Sequence, residues 1–160
     1  MRDVDATLLR LMRRRGHHPL AERAVHAYSS LGEHSYLWLG IGAAGALLDP
    51  ARRAAYLRLG RAVVGVEVAN AVLKRVIRRR RPRLPGLPPL MSTNSDLSYP
   101  SAHASSSFAA ARVLSDPLPA AAVYALAVAM AASRPYLGVH YPSDVVAGAL
   151  FGTALVELLD

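Results

Sequence analysis

Along the chain, apolar residues gather into four or five segments set apart by polar connections, at 34–48, 62–73, 104–114, 117–133 and 145–159. Apolar and polar residues do not alternate with a period of two, so strand signals are weak throughout, and Val-rich pieces such as RAVVGVEVANAV fit helical spacing equally well. None of the segments reaches the roughly 18–20 uncharged residues that mark a transmembrane helix unambiguously. Their texture points the same way nonetheless: Gly and Ala stand at close-packing positions, charges inside are few, and the connections hold the Arg, Pro and Asp. A soluble helical bundle of this length would show polar stripes at helical period, which 117–133 and 145–159 hardly do. The pattern predicts an all-α fold, an integral membrane bundle of about five spans, with a soluble bundle as the alternative.

Two stretches fall outside that pattern. The N-terminal segment 1–30 mixes Leu8, Leu9, Leu11 and Met12 with Arg10, Arg13, Arg14 and Arg15 and has no uninterrupted apolar run, so no cleavable signal peptide is visible. It reads as a short basic amphipathic helix on a membrane surface or on the rest of the protein. Residues 79–100 contain Pro82, Pro85, Pro88, Pro89 and Pro100, which prevent a continuous helix. A loop of that length is uncommon in a compact chain unless it is functional. At 160 residues the chain is one domain, 1–160, with its chemistry-bearing residues in 74–144.

Composition sharpens the picture at one point. Of nineteen basic residues eighteen are arginine, and the single lysine, Lys74, lies in VLKRVIRRRRPRLPG. On an Arg- and Ala-rich background, which suggests a GC-rich genome, a retained lysine is informative. Cysteine is absent, which excludes disulfides and thiolate metal sites. The net charge of +8 would suit a nucleic-acid binder, but charge alone does not explain the ordered His, Ser and Asp positions described next.

Three clusters carry candidate chemistry. In the first, Lys74 sits in the last turn of a helix and Arg81 lies just beyond its end, so an ammonium and a forked guanidinium can meet at one phosphate. Neighbouring Arg75, Arg78, Arg79, Arg80 and Arg83 read as lipid-headgroup anchors. In the second, SYPSAHASSSF, Ser101 opens a helix whose first N–H groups have no helical partner. Ser101 is either an N-cap or part of an anion site, and His103, one turn in, is either a buried structural residue or a general acid. In the third, SRPYLGVHYPSD, Arg134 precedes His140, and Asp144 follows four residues later. Asp144 either complements a helix start or accepts the N–H of His140, fixing its tautomer and freeing its other nitrogen to attack. Glu67 and Asn70, inside the second apolar segment, read as hydrogen-bonding partners in the bundle interior, the alternative being a functional role. Helices that end at Lys74 and Ser133 and begin at Ser101 and near Asp144 put all three clusters on one side of the bundle.

The triple pattern Lys-x6-Arg-Pro, Pro-Ser-x-His, Ser-Arg-x5-His-x3-Asp resembles the type 2 phosphatidic acid phosphatase superfamily, which includes membrane lipid phosphatases, bacterial class A acid phosphatases and vanadium haloperoxidases. It departs from that family's usual Pro-Ser-Gly-His at Ala102. The resemblance implies that His140 is a nucleophile forming a phosphohistidine, that Asp144 orients it and that His103 protonates the leaving oxygen. Lys74, Arg81, Ser101, Arg134 and the amides of Ala102 and His103 would hold the phosphate oxygens. No metal or other cofactor is implied, and no carboxylate pair or His/Glu set stands at metal-ligand spacing.

A short member without an added soluble domain points to a lipid phosphate in the bilayer of a bacterial plasma membrane. The stretches RRRPRLPGLPPLMS and LSYPSAHASSSFAAARVL resemble the actinobacterial branch acting on a polyprenyl-linked sugar phosphate, decaprenylphosphoryl-5-phosphoribose, in cell-envelope synthesis. Phosphatidate or phosphatidylglycerophosphate are the alternative substrates, and a noncatalytic lipid-phosphate-binding protein is the alternative class. A haloperoxidase fits less well, since those relatives are larger and soluble. On the five-span reading, fourteen of the nineteen basic residues share the side of the site, which places that site facing the cytoplasm.

Overall fold

The computed structural model describes residues 2–159, and among them the secondary structure is helical. The helices are α1 (Arg2–Arg13), α2 (Pro19–Leu31), α3 (Tyr36–Leu48), α4 (Arg53–Ile77), α5 (Ala102–Leu114), α6 (Ala120–Tyr136) and α7 (Pro142–Leu159), with single 3₁₀ turns at Glu33–Ser35 and Pro50–Arg52. The all-α expectation therefore holds. No helix of the described residues is both long and apolar enough to cross a membrane.

Two boundaries differ from the sequence expectation. The N-terminal segment is two helices rather than one, because Gly16 turns the chain at a φ of 72° and Pro19 then occupies the first helical position of α2. Helix α4 begins at Arg53, well before the apolar segment at 62–73, since Arg53, Arg58 and Arg61 lower the hydropathy of turns that are helical all the same. The 79–100 stretch is irregular as expected, pinned by isolated bridges Arg80–Leu97 and Leu84–Leu87.

Helix α5 lies at the centre. Its sequence AHASSSFAAARVL is small enough to be enclosed: Ala104, Ser105, Ser106, Ser107, Ala109, Ala110 and Ala111 are all buried. Its serines do not strand their hydroxyls. Ser105 Oγ donates to the Ser101 carbonyl (2.9 Å) and accepts from Asn70 Nδ2 of α4 (2.9 Å), while Ser107 Oγ accepts from the indole N–H of Trp38 in α3 (2.9 Å). Asn70 is thus the interior hydrogen-bonding partner its position suggested. Trp38, Leu59, Val63, Val66, Val113, Leu114 and Val156 complete the core around this helix. Burying each large side chain among them contributes on the order of 1.5–3 kcal/mol.

On the α7 side the approach is closer still. Gly148 and Gly152, one turn apart, face α5: a Cβ at Gly148 would stand 2.6 Å from the Ser101 carbonyl oxygen, and one at Gly152 only 1.9 Å from that of Ser105. Small residues four apart let two helix backbones meet, and here the contact fixes the first turns of α5 and α7 side by side. The Ser101 N–H donates to the Asp144 carbonyl (3.0 Å) across that seam.

Replacing Gly152 by Ala should therefore force α7 off α5, costing about 1–3 kcal/mol. Gly65→Ala, at a helical site with nothing within 4 Å, should be neutral or stabilising by up to about 1 kcal/mol. Thermal unfolding of the two variants in detergent checks this; a Gly152→Ala protein as stable as wild type would contradict the packing described.

Candidate active site

The end of α4, the start of α5, the end of α6 and the start of α7 lie at one end of the bundle, as the spacing of the motifs implied. Between them is a cavity of about 210 Å³ whose lining includes Lys74, Arg81, Ala102, His103, Arg134 and His140. Its cations are held by neutral groups. Lys74 Nζ approaches the Leu97 carbonyl (3.4 Å), Arg81 donates to the carbonyls of Ser95 (2.7 Å) and Val139 (2.8 Å), and Arg134 donates to Ser29 Oγ (2.5 Å) and contacts Met91 Sδ (3.3 Å). Among the described residues no carboxylate forms a direct ion pair with any of the three, although Glu33 and Glu67 stand in the same cavity wall. Arg134 is only 2% exposed, and its Nε, like the hydroxyl of fully buried Ser101, has no hydrogen-bond partner among the described residues. Ser101 precedes α5 but its side chain does not cap the helix. Two buried polar atoms left in this state each cost about 1–3 kcal/mol unless a ligand satisfies them.

His140 follows the tight turn at Gly138, whose φ is 76°, so the chain leaving α6 reverses directly into the cavity. Its Nε2 lies 2.9 Å from Arg81 Nη1. A guanidinium can only donate, so Nε2 is the lone-pair nitrogen and the ring proton resides on Nδ1. Burial, then the charges of Arg81, Arg134 and Lys74, hold His140 well below the ordinary imidazole value of 6.5, against a hydrogen bond to the Ser98 backbone. The ring is therefore neutral at neutral pH.

Behind the ring the arrangement departs from a direct His–Asp hydrogen bond. Nδ1 stands 3.6 Å from Asp144 Oδ2, and the hydroxyl of Ser98, 3.5 Å from Nδ1, donates a short hydrogen bond to that same oxygen. Asp144 is fully buried and also accepts from the Tyr141 N–H (2.8 Å) and from Arg79 Nη1 (2.7 Å). Arg79 is thus turned inward instead of anchoring headgroups: its other arm binds Asp5 of α1 (2.6 Å), and its Nη1 also reaches Ser143 Oγ (2.7 Å). Asp5 in turn accepts from the Ser143 N–H (3.0 Å) and hydroxyl. Burial pushes Asp5 upward, but the hydrogen bonds of Ser143 and Arg79 outweigh it and leave the carboxyl below its usual value. Two turns further along α1, Arg13 packs over Gly138 and donates to the carbonyls of Tyr136 (3.1 Å) and Pro88 (2.7 Å). The N-terminal helix therefore grips the His140 turn from both sides.

Helix α2 supplies a comparable support to the opposite wall. The Ser29 carbonyl accepts from His103 Nε2 (3.1 Å), and the Ser29 hydroxyl receives both Arg134 and Ser133 Oγ (3.0 Å). A carbonyl only accepts, so His103 is protonated at Nε2 and its Nδ1 is the remaining nitrogen. Asp5, Ser29, Ser98 and Ser143 lay outside the sequence-based set. Asp5 and Ser29 reach the site from distant parts of the chain, and Ser98 and Ser143, although they stand inside the second and third clusters, carry no spacing signal of their own.

The rest of the cavity wall is polar, with Glu33, His34, Glu67, Thr93, Asn94 and Ser95. Glu67 accepts from Ser35 Oγ (2.6 Å), so it is both an interior partner and part of the cavity. His34 and Ser35 adopt positive φ values of 47° and 60° to make the turn from α2 to α3. The tyrosines flanking the motifs stand elsewhere: Tyr136 stacks on His17, and Tyr99 and Tyr141 line a separate cavity. Among the described residues, no group of three or more His, Asp or Glu side chains is placed to hold a metal ion.

Known proteins place this geometry. The PAP2 superfamily model matches residues 55–159, which include all three motifs. The decaprenylphosphoryl-5-phosphoribose phosphatase of Mycolicibacterium smegmatis is 42% identical over 147 residues, covering 92% of this chain and 82% of that protein. The Mycobacterium tuberculosis H37Rv protein of the same name is 42% identical over 139 residues, covering 82% and 75%. Among solved structures, a transmembrane PAP2-type phosphatidylglycerolphosphate phosphatase from Bacillus subtilis superposes with a TM-score of 0.78 at 26% identity, covering 99% of this chain and 83% of the other. Aquifex aeolicus LpxE shares the fold, with a TM-score of 0.79 at 24% identity over 95% and 92% of the two chains. With its motifs folded into one cavity and a family model spanning them, the chain belongs to the PAP2 superfamily.

Proposed function

We propose that this protein is a membrane lipid phosphate phosphatase that works through a phosphohistidine on His140 and acts on a polyprenyl-linked sugar phosphate of the decaprenylphosphoryl-5-phosphoribose type. The observation that carries the reading is the cavity in which three cations, held only by neutral acceptors, surround an unprotonated imidazole nitrogen. Such a site is built to receive an anion beside a nucleophile. The names of the mycobacterial relatives support the substrate class, and exposed Leu47, Leu48, Leu150 and Leu158 on the outer surface support immersion in lipid.

In this mechanism the substrate phosphate enters among Lys74, Arg81, Arg134, the Ser101 hydroxyl and the amides of Ala102 and His103. Arg81 transfers its hydrogen bond from His140 Nε2 to a phosphate oxygen, exposing the lone pair. Nδ1 of His103 takes the proton that the substrate's phosphate monoanion brings in, Nε2 of His140 attacks phosphorus, the P–O ester bond breaks, and His103 Nδ1 passes that proton to the leaving oxygen. The positive charge on the His140 ring is met by Asp144 and the Ser98 hydroxyl behind Nδ1. Water then attacks phosphorus, giving a proton to His103 Nδ1; the P–N bond breaks, and inorganic phosphate leaves with that proton, restoring both neutral rings. Ala102 places a methyl at the cavity where the family pattern has hydrogen, narrowing the pocket without removing the amide. The chemistry is carried by side chains of this chain and calls for no metal.

Phosphate release from a polyprenyl phosphoribose phosphate in detergent with EDTA should proceed in wild type and fall by at least about a thousandfold in His140→Ala. A preference for phosphatidylglycerophosphate or phosphatidate in the same panel would replace the substrate assignment. Binding without release from any lipid would leave a noncatalytic lipid-phosphate binder.

The charge on Arg81 also sets a pH dependence. The acid limb of kcat/KM that belongs to His140 should lie below pH 6.5, and in Arg81→Gln it should move upward, because loss of a neighbouring cation favours the protonated ring. The substrate's own ionisation is common to both proteins, so an unmoved limb would disconnect His140 from the rate.

Sidedness follows from the cations at the site end of the bundle. Fourteen of nineteen basic residues lie on the side of the site and N-terminus, which favours a cytoplasmic-facing site. An N-terminal fusion to a reporter active only outside the cell should be silent, and activity would reverse the orientation.

A further inference from the structure

The catalytic cavity uses one arginine of the run Arg78–Arg81, and Asp5 and Asp144 neutralise a second. The other two have no such partner. Arg78 and Arg80 are exposed, and no ion pair engages them among the described residues. The four arginines are not spread over a convex surface; they line one cavity of about 600 Å³ together with Ile77, Tyr99 and Tyr141, and with Asp5 beside Arg79. The backbone is bent to make this possible. Arg78 adopts a left-handed conformation at the end of α4, φ 54° and ψ 30°, with its N–H on the Lys74 carbonyl (2.9 Å), a position glycine occupies most easily. The guanidinium of Arg79 lies 4.3 Å over the Tyr141 ring, so one wall is aromatic and rigid.

Two further features identify the ligand. Arg81 lines this cavity and the catalytic one, so an anion here is a neighbour of the reacting phosphate. Ile77 at its edge continues an exposed apolar row along α4, Val64, Val68, Val72 and Val76, spaced four residues apart over about 18 Å of helix. A hydrocarbon chain laid along that row would deliver its head to the arginines.

We infer that this cavity is a second anion site, for a lipid phosphodiester whose tail follows the outer face of α4. The inference rests on the catalytic reading above and deepens it: the preferred substrate bears a phosphodiester between its tail and the phosphate monoester that is cleaved. The same chemistry could come from an anionic bilayer lipid beside the substrate.

The double variant Arg78→Gln/Arg80→Gln tests this, since both side chains are exposed and lie outside the catalytic cavity. Phosphatidylglycerophosphate and phosphatidate have the same diacyl tail, but only the first has a phosphodiester before its terminal phosphate. In neutral detergent the variant should lose at least about tenfold in kcat/KM on phosphatidylglycerophosphate while phosphatidate turnover stays within twofold. If the bilayer lipid is the ligand, the two proteins should match on both substrates in neutral detergent, and added phosphatidylglycerol should stimulate wild type alone. An equal loss on both substrates in neutral detergent, or no difference under either condition, would overturn the inference. Binding of phosphatidylglycerol to His140→Ala with and without the two arginines reads the cavity independently of turnover. A loss of binding there would uphold the second site even if the catalytic reading failed, and unchanged binding would count against it.

Discussion

Everything in this fold depends on α5 being thin. A helix of Ala and Ser can be approached on three sides at once, and α4, α6 and α7 do so, each bringing one part of the cavity with it. The closest approach, where Gly148 and Gly152 meet the carbonyls of Ser101 and Ser105, seats Asp144 beside the start of α5, where its carbonyl accepts from the Ser101 N–H. Ser105 and Ser107 serve a second purpose in the same helix. They accept from the Asn70 amide and the Trp38 indole, while Asn70 Oδ1 finds no hydrogen-bond partner among the described residues.

Around that axis the ion pairs are segregated. In front of His140 stand cations whose donors end on carbonyls, a hydroxyl or a thioether; behind it the carboxylates of Asp144 and Asp5 share Arg79. Glu33 and Glu67 also stand in the cavity wall, but among the described residues neither forms an ion pair with those cations. The neutral acceptors in front have a clear physical effect: they orient the guanidinium groups while leaving their field intact.

The sequence disclosed the site better than its supports. Lys74, Arg81, His103, Arg134 and His140 could be assigned to one cavity because their spacing, combined with helix ends, left few arrangements. Ser29, Ser98 and Asp5 could not, since a lone polar residue in an amphipathic or loop segment looks the same whether it faces solvent or the buried cavity. Arg79 was hidden by its own neighbours: in a run of four arginines no local signal tells which one turns inward, and only the fold, by placing Asp5 and Asp144 on one side, decides. The start of α4 was missed for a related reason, since hydropathy registers Arg53, Arg58 and Arg61 as an interruption although arginine is a good helix former. Glu67, read as an interior partner, proved to be one while also standing in the cavity wall.

The grip of α1 on the His140 turn joins residues 138 positions apart, Asp5 and Ser143. A contact of that separation closes a very long loop, and such contacts form late because the chain loses entropy before it gains the bond. During synthesis, Asp5 emerges long before Ser143 and must wait for α7 before its partner exists. The support of the His140 turn is therefore completed only once α7 has begun to emerge, and a ribosome-bound fragment that already contains Lys74, Arg81 and His103 has neither His140 nor the clamp that holds it.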